Sequence, residues 1–126
     1  MHDLKVNALR VFVPSKDHDV SIRFYEDLGF ETVWTGHGVS EMRIEGFSFY
    51  LQNYYQKEWA DNFMMHLKVA DLDAWWEHIV EKDLVARYDG VRAAAPRVYP
   101  WGLREINLID PAGVLWHIAQ DPDCSD

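Results

Sequence analysis

Apolar side chains repeat with a helical period in two segments of the chain. In the first segment, Val20, Phe24 and Leu28 recur every four residues. In the second, the apolar positions fall at i, i+3, i+4, i+7 and i+8, which forms one continuous stripe on a helix; they are Leu72, Trp75, Trp76, Ile79 and Val80. The spacing predicts helices over residues 19–28 and 72–82.

Segments rich in β-branched and aromatic residues predict the strands. The run before the first helix ends at Pro14, because proline cannot donate to a sheet ladder. The predicted strands are residues 6–13, 30–34, 39–44, 47–52, 63–69, 85–89, 94–98, 103–109 and 114–119. Residues 53–62 show no clean period and are expected to connect two halves, and residues 121–126 are expected to fray.

The two halves repeat one order of elements, a strand and a helix followed by three strands. Leu9-Arg10-Val11 before the first helix matches Leu67-Lys68-Val69 before the second, an offset of 58 residues. A repeat of this kind favours two similar βαβββ modules, residues 4–53 and 63–120, that pair about a pseudo-twofold axis. We therefore expect an α+β fold in which two four-stranded sheets curl around a shared cleft and one helix covers the outer face of each.

The composition limits the class of partner. The chain has 126 residues, enough for one domain, with 12 basic and 21 acidic side chains and a formal net charge of −9. This charge argues against nucleic acid or a membrane surface as the partner and suits a neutral or cationic small ligand. A single cysteine, Cys124, excludes an internal disulfide. No apolar run reaches the ~18 residues of a membrane span, and the polar N-terminal residues do not resemble a signal peptide, so we expect a cytoplasmic protein.

Aromatic residues make up 14 % of the chain and include six tryptophans. Large rings fill cores, and they also line ligand clefts and dimer interfaces. We expect Trp75 and Trp76, on the helical stripe, in the core or at a dimer contact, and Trp116 on the helix side of its strand. Glu105 is either a general base or the partner of its neighbour Arg104. The sequence contains neither a glycine-rich phosphate loop nor a nucleophile elbow.

Three motifs of this sequence resemble the vicinal oxygen chelate superfamily, which contains glyoxalases, extradiol dioxygenases and bleomycin-resistance proteins. The motifs are PSKDHDVS at 14–21 with FYEDLGF at 24–30, HLKVADLD at 66–73, and Trp101-Gly102 followed by DPAG at 110–113 and LWHI at 115–118. They span nearly the whole chain, and the first and last are particularly similar to small bleomycin-resistance proteins. The resemblance implies the paired βαβββ fold.

The resemblance also implies where a metal would bind. Enzymes of the superfamily hold a divalent metal with His, Gln or Glu on the first and last strands of each module, and a catalytic site usually takes three protein ligands. The matching positions here are Asn7, Gln52, Met64 and His117, of which Gln52 and His117 could bind a metal. A site of Gln52, His66 and His117 is the metal-dependent alternative. Otherwise the two histidines line a pocket or lie in the core.

The incomplete ligand set, the ring content and the negative charge favour binding over turnover. By its resemblance, the chain is expected to be a non-catalytic homodimer of the bleomycin-resistance type that sequesters an aromatic, cationic small molecule in the dimer cleft, without a cofactor. The candidate ligand-binding residues are Trp34, Tyr50, Trp59, Trp101 and His117. Two other functions stay open: a metal-dependent lyase, isomerase or thiol transferase of the same superfamily, or an interaction module whose cleft is filled by its own side chains.

Overall fold

The computed structural model describes residues 2–120, which contain two four-stranded sheets. In chain order, the strands of the first sheet are β1 (Phe12–Pro14), β2 (Glu31–Gly36), β3 (Val39–Ile44) and β4 (Phe47–Gln52). Those of the second are β5 (Met64–Val69), β6 (Arg92–Val98), β7 (Arg104–Ile109) and β8 (Leu115–Gln120). The spatial orders are β1-β4-β3-β2 and β5-β8-β7-β6. The pairs β1–β4 and β5–β8 are parallel, and the other pairs are antiparallel. The expected α+β fold is confirmed.

The helices of the described residues are α1 (His18–Leu28), α2 (Lys57–Asp61), α3 (Leu72–Glu81) and α4 (Leu84–Arg87). Aspartates cap the two long ones: Asp17 and Asp71 each accept a hydrogen bond from the backbone N–H three residues further on. Gly29 ends α1 with a φ of 131°, which other residues rarely adopt. No helix in this part of the chain is long and apolar enough to cross a membrane.

The structural repeat has a different offset from the predicted 58 residues. The two helix caps, Asp17 and Asp71, lie 54 residues apart. The same shift equates Leu67 of β5 with Val13 of β1, and each of these residues pairs with the last strand of its own sheet. The prediction is wrong because it matched Leu9 to Leu67 on a short likeness of residue types, whereas the caps fix the register.

The first strand is shorter than the predicted 6–13. Only Phe12–Pro14 pairs with β4, and residues 2–11 form no regular element. Several apolar side chains of that segment are exposed, and Leu9 is 92 % exposed. A strand-like pattern indicates that a segment suits a sheet surface, but it does not supply the partner strand.

Two further elements differ from the prediction. Residues 85–89, predicted as a strand, form α4 in part, and the connection 53–62 contains α2. Leu84 and Tyr88 are buried while the three residues between them are exposed, as on a helical turn. Alternation along a strand would have placed Ala86 on the same buried face. The other helices and strands lie within two residues of their predicted bounds.

The core lies between the helix-facing sides of the two sheets. Trp116 of β8 packs against Tyr25 of α1 and Phe49 of β4, with ring centroids 5.6 and 5.5 Å apart. Trp116 is buried there, which confirms that it faces the helix side. Trp75 and Trp76 of α3 are partly buried and pack against the same core.

A buried hydrogen-bond chain joins the two modules through this core. The Trp116 indole N–H donates to the Tyr25 hydroxyl at 2.8 Å, and that hydroxyl donates to the Asp110 carboxylate. Asp110 also accepts backbone N–H groups of its own turn, from Ala112 and Val114. Burial raises the pKa of Asp110 to about 6, although these hydrogen bonds act to lower it.

Candidate functional site

Each sheet has an open face, which we define as the face opposite to the core. Side chains alternate along a strand, so Tyr50 lies on the open face beside the buried Phe49, and His117 lies there beside the buried Trp116. Cross-strand pairing adds neighbours on the same face: Glu41 is the register partner of Tyr50. The open faces carry two aromatic clusters, one on each sheet.

The first-sheet cluster consists of Arg10, Phe12, Trp34, Glu41 and Tyr50. The Trp34 indole N–H donates to Glu41 Oε1 at 3.0 Å, and the Trp34 and Tyr50 rings lie 6.2 Å apart. Arg10 lies 3.4 Å from the other Glu41 oxygen and 5.4 Å from the centre of the Tyr50 ring. A permanent cation therefore balances the nearly buried carboxylate of this cluster.

The second-sheet cluster consists of Tyr99, Trp101, Glu105, Asn107 and His117. Glu105 is only 1 % exposed, and each of its oxygens has a partner at 2.8 Å: the Trp101 indole N–H and His117 Nδ1. Trp101 stacks on Tyr99 with centroids 4.9 Å apart and planes 12° apart. Asn107 donates to the Tyr99 hydroxyl at 2.8 Å.

Trp101 is a flat apolar surface that is both exposed and oriented. The residue is 58 % exposed, yet its indole N–H and one ring face are already engaged by the protein. Stacking of a further ring on such a surface is worth about 0.5–1.5 kcal/mol beyond the burial of apolar area. The arrangement suits the binding of a planar aromatic group.

Four of the five predicted ligand-binding residues fall into these clusters. Trp34 and Tyr50 meet on the first sheet, and Trp101 and His117 lie 6.4 Å apart on the second. Trp59 is the exception, because it lies on α2 between the rings of Tyr54 and Phe63. Their role as ligand contacts stays a prediction.

Sequence reasoning missed five members of the clusters: Arg10, Phe12, Glu41, Tyr99 and Asn107. No local signal pointed to Glu41, because its strand, VSEMRI, also contains Ser40 and a second charged residue, Arg43. Glu105, by contrast, was a candidate. It lies on the open face, where a general base would have to lie. It does not pair with Arg104: its partners are His117 and Trp101, while Arg104 pairs with Asp73.

The residues at the family's metal positions do not fit a divalent metal site. The offset of 54 residues equates Met64 with Arg10, a cation, rather than with Asn7. His117 is engaged at both ring nitrogens, by Glu105 at Nδ1 and by Met64 sulfur 3.4 Å from Nε2. Thioether sulfur and a guanidinium are poor partners for such an ion.

The alternative ligand set of Gln52, His66 and His117 is divided between the sheets. His66 and His117 are register partners on β5 and β8, whereas Gln52 ends β4 of the other sheet. His66 also borders a cavity of about 270 Å³ between the β3–β4 hairpin and β5. Among residues 2–120, no group of three or more His, Cys, Asp or Glu side chains is arranged to hold a metal ion.

A family model matches most of this chain. The model described as Glyoxalase/Bleomycin resistance protein/Dioxygenase superfamily matches residues 7–118. The chain belongs to this superfamily. A search of curated proteins found no match.

Solved structures of the superfamily share the whole fold. A bleomycin-binding protein in complex with bleomycin has a TM-score of 0.80 at 24 % identity, covering 93 % of this chain and 100 % of its own. The bleomycin-binding protein of Streptomyces verticillus, in complex with copper(II)-bleomycin, has a TM-score of 0.73 at 22 % identity, covering 94 % and 100 %. A lactoylglutathione lyase from Agrobacterium tumefaciens has a TM-score of 0.66 at 14 % identity, covering 93 % and 96 %. At these identities the likeness establishes the fold alone.

Proposed function

We propose that this superfamily member is a non-catalytic binding protein that sequesters an aromatic, cationic small molecule in a cleft between two copies of the chain. The observation that carries the proposal is Trp101, an exposed indole held in one orientation by a buried carboxylate and a stacked ring. A surface that is already oriented loses little conformational entropy when a ligand binds, so more of the stacking energy appears as affinity.

The charge distribution supports a cationic ligand. The formal net charge of −9 attracts cations to the protein. A cation placed over an aromatic ring gains about 0.5–2 kcal/mol. The open face of the second sheet presents such a ring, Trp101, whereas the Tyr50 ring of the first sheet already has Arg10 beside it. The ligand class we propose is therefore a planar heteroaromatic molecule with a positively charged extension.

The exposure of apolar residues supports a second copy as the other wall of the cleft. Leu9 and the neighbouring apolar side chains of residues 2–11 are exposed, as are Phe12, Met64 and Val98 at the edges of the open faces. Phe12, Met64 and Val98 lie on the outer strands β1, β5 and β6, and exposed apolar side chains at sheet edges favour an interface. A second copy facing these residues would enclose a ligand that a single open face only supports from one side.

Two of the structural neighbours are described as bleomycin-binding proteins in complex with bleomycin or its copper(II) form. Bleomycin-type compounds are therefore the first ligands to test. Calorimetric titration of the protein with metal-free bleomycin should give saturable heat, and Trp101→Ala should weaken the binding. The absence of heat from a folded, dimeric sample would reject a bleomycin-type ligand.

The competing function is a metal-dependent enzyme of the same superfamily, because a lactoylglutathione lyase shares the fold and because His66 and His117 are cross-strand neighbours. Elemental analysis of protein purified without chelator separates the two functions. Stoichiometric nickel, zinc, manganese or iron that is lost in His66→Ala or His117→Ala would favour the enzyme. We expect no stoichiometric metal.

A further inference from the structure

Each sheet contains one carboxylate, largely withdrawn from solvent, that accepts an indole N–H on its open face. Glu41 of β3 holds Trp34 and Glu105 of β7 holds Trp101. The strands β3 and β7 occupy the same place in the two sheet orders. The two pairs have different sequence spacings, seven residues in one and four in the other, so the shared feature is the spatial contact.

Glu105 is the more deeply buried of the two and has no role in filling the core. Burial of a carboxylate costs free energy unless hydrogen bonds compensate it, and both oxygens of Glu105 are compensated by open-face side chains. Trp101 itself lies in the loop between β6 and β7, next to Gly102 at a φ of +94°. Backbone hydrogen bonds from Tyr99 N–H to the Leu103 carbonyl and from Gly102 N–H to the Tyr99 carbonyl close this turn. The backbone is therefore held, and the rotation of the exposed indole about its side-chain bonds depends on its side-chain contacts.

We propose that Glu105 is a positioning residue for ligand binding, and this inference rests on the proposed function. Its carboxylate fixes the plane of Trp101 and, through Nδ1–H, the ring of His117. Glu105 makes no contact with the ligand, since both oxygens are engaged and the residue is 1 % exposed. This one side chain therefore orients two groups of the candidate site, the Trp101 indole and the His117 imidazole.

The corresponding residue on the first sheet has a different second partner. Glu41 lies 3.4 Å from Arg10, a permanent cation, while Glu105 is bound to an imidazole. Glu41→Gln therefore disturbs Trp34 and Arg10 but leaves the contacts of Trp101 in place. This makes Glu41→Gln a control for any signal that arises from Trp101.

The first test uses the protein without ligand. The near-ultraviolet circular dichroism spectra of wild type, Glu105→Gln and Glu41→Gln are each recorded with and without the further change Trp101→Phe. The difference between the two spectra is the contribution of Trp101 in that protein. Glu105→Gln should reduce that contribution and increase acrylamide quenching of Trp101 about twofold or more. Trp101 and His117 bind different oxygens of Glu105, and glutamine replaces one of these oxygens with an NH2 group that cannot accept. Glu41→Gln should leave the Trp101 contribution unchanged.

The second test measures affinity for metal-free bleomycin. Glu105→Gln should weaken binding about tenfold, chiefly through faster dissociation, while the exposed Glu31→Gln, with the same change of charge, should not. In the Trp101→Phe background, the effect of Glu105→Gln should be at least threefold smaller. Such non-additivity is expected when one residue acts through the other and is not expected of an independent effect on folding.

The outcomes separate this inference from the proposed function. If the wild type does not bind bleomycin, the ligand assignment fails, and the ligand-free spectra still decide the role of Glu105. If Glu105→Gln is folded and its Trp101 contribution and quenching equal those of wild type, the inference is overturned. Should Glu105→Gln fail to fold, Glu105→Asp takes its place. This variant keeps the charge, and its shorter side chain should loosen the indole and give the same spectral change. A wild-type Trp101 signal in Glu105→Asp would overturn the inference.

Discussion

Individual side chains explain why the open faces present an accessible ring while the core stays closed. Trp116 and Trp101 are chemically alike, yet Trp116 donates to a core hydroxyl and is buried, while Trp101 donates to Glu105 and is exposed. The difference follows from strand alternation for Trp116 and from a loop position for Trp101. An exposed ring with a satisfied N–H is a ready contact for a planar ligand.

At this scale, the sharpest prediction concerns Trp101. Trp101→Ala removes the stacking surface and should weaken binding of metal-free bleomycin by about 2 kcal/mol, roughly thirtyfold. Trp101→Phe keeps a ring and should lose less. Isothermal titration calorimetry of the three proteins checks this order, and equal affinities in all three would show that the ligand does not stack there.

Asp110 leads to a prediction about pH. Its pKa is about 6 in the folded protein against a usual 3.8, so the folded state binds this proton more tightly than the unfolded state. The group therefore stabilises the fold fully below pH 3.8, and that contribution is lost as the pH rises through 6, by about 1 kcal/mol between pH 5 and 7. Asp110→Asn cannot titrate.

Urea unfolding of wild type and Asp110→Asn at pH 5 and pH 7 tests this sign. We expect the wild type to exceed the variant in free energy of unfolding by more at pH 5 than at pH 7. The comparison is made as a difference because burial lowers the pKa of His18, which acts in the opposite direction. The exposed Asp73→Asn serves as control. A difference that is equal at both pH values would contradict the prediction.

Among the elements, the helices show which sequence signals were sufficient to predict secondary structure. The stripe from Leu72 to Val80 and the aspartate before it are enough to predict α3 from its own sequence, because a cap and a periodic apolar face are local features. The short segment 85–89 could not be assigned in the same way. Burial of Leu84 and Tyr88 with exposure of Ala86 between them fits a helix rather than a strand, and burial depends on the packed core.

The cap of α3 can be tested directly. Asp71→Ala removes the side-chain oxygen that accepts the Ala74 N–H at 3.1 Å, and should lower the free energy of unfolding by about 1 kcal/mol. Asp73→Ala, which removes an exposed ion pair with Arg104, should cost less than about 0.5 kcal/mol. Urea denaturation compares the two variants, and equal losses would show that the cap does not stabilise α3.

In the whole molecule, the clusters depend on contacts that the sequence does not encode locally. Arg10 reaches Ser48 and Glu41, and Trp101 reaches His117, only after each sheet has formed. The repeat of modules was visible in the sequence, although with the wrong offset. Four of the five candidate ligand-binding residues, which were named from the family resemblance, lie in the two clusters. Apart from Glu105, the partners of those residues were missed, because cross-strand register is fixed by packing rather than by a motif.

The exposed apolar surface also predicts the quaternary state. Sedimentation at micromolar concentration should show a dimer, and Leu9→Asp should shift it towards monomer because a charge would be buried at the interface. Val85→Asp, an equally drastic change at an exposed site on α4, should leave the dimer intact. A wild type that stays monomeric would remove the second wall of the proposed cleft.

Native mass spectrometry of the protein, purified without chelator and mixed with metal-free bleomycin, tests the central claim most directly, because one spectrum reports the number of chains, ligands and metal ions in each complex. We expect a dimer that takes up bleomycin and carries no stoichiometric metal. A complex that contains one divalent metal per site and that loses its ligand when the metal is removed would contradict the claim and favour an enzyme.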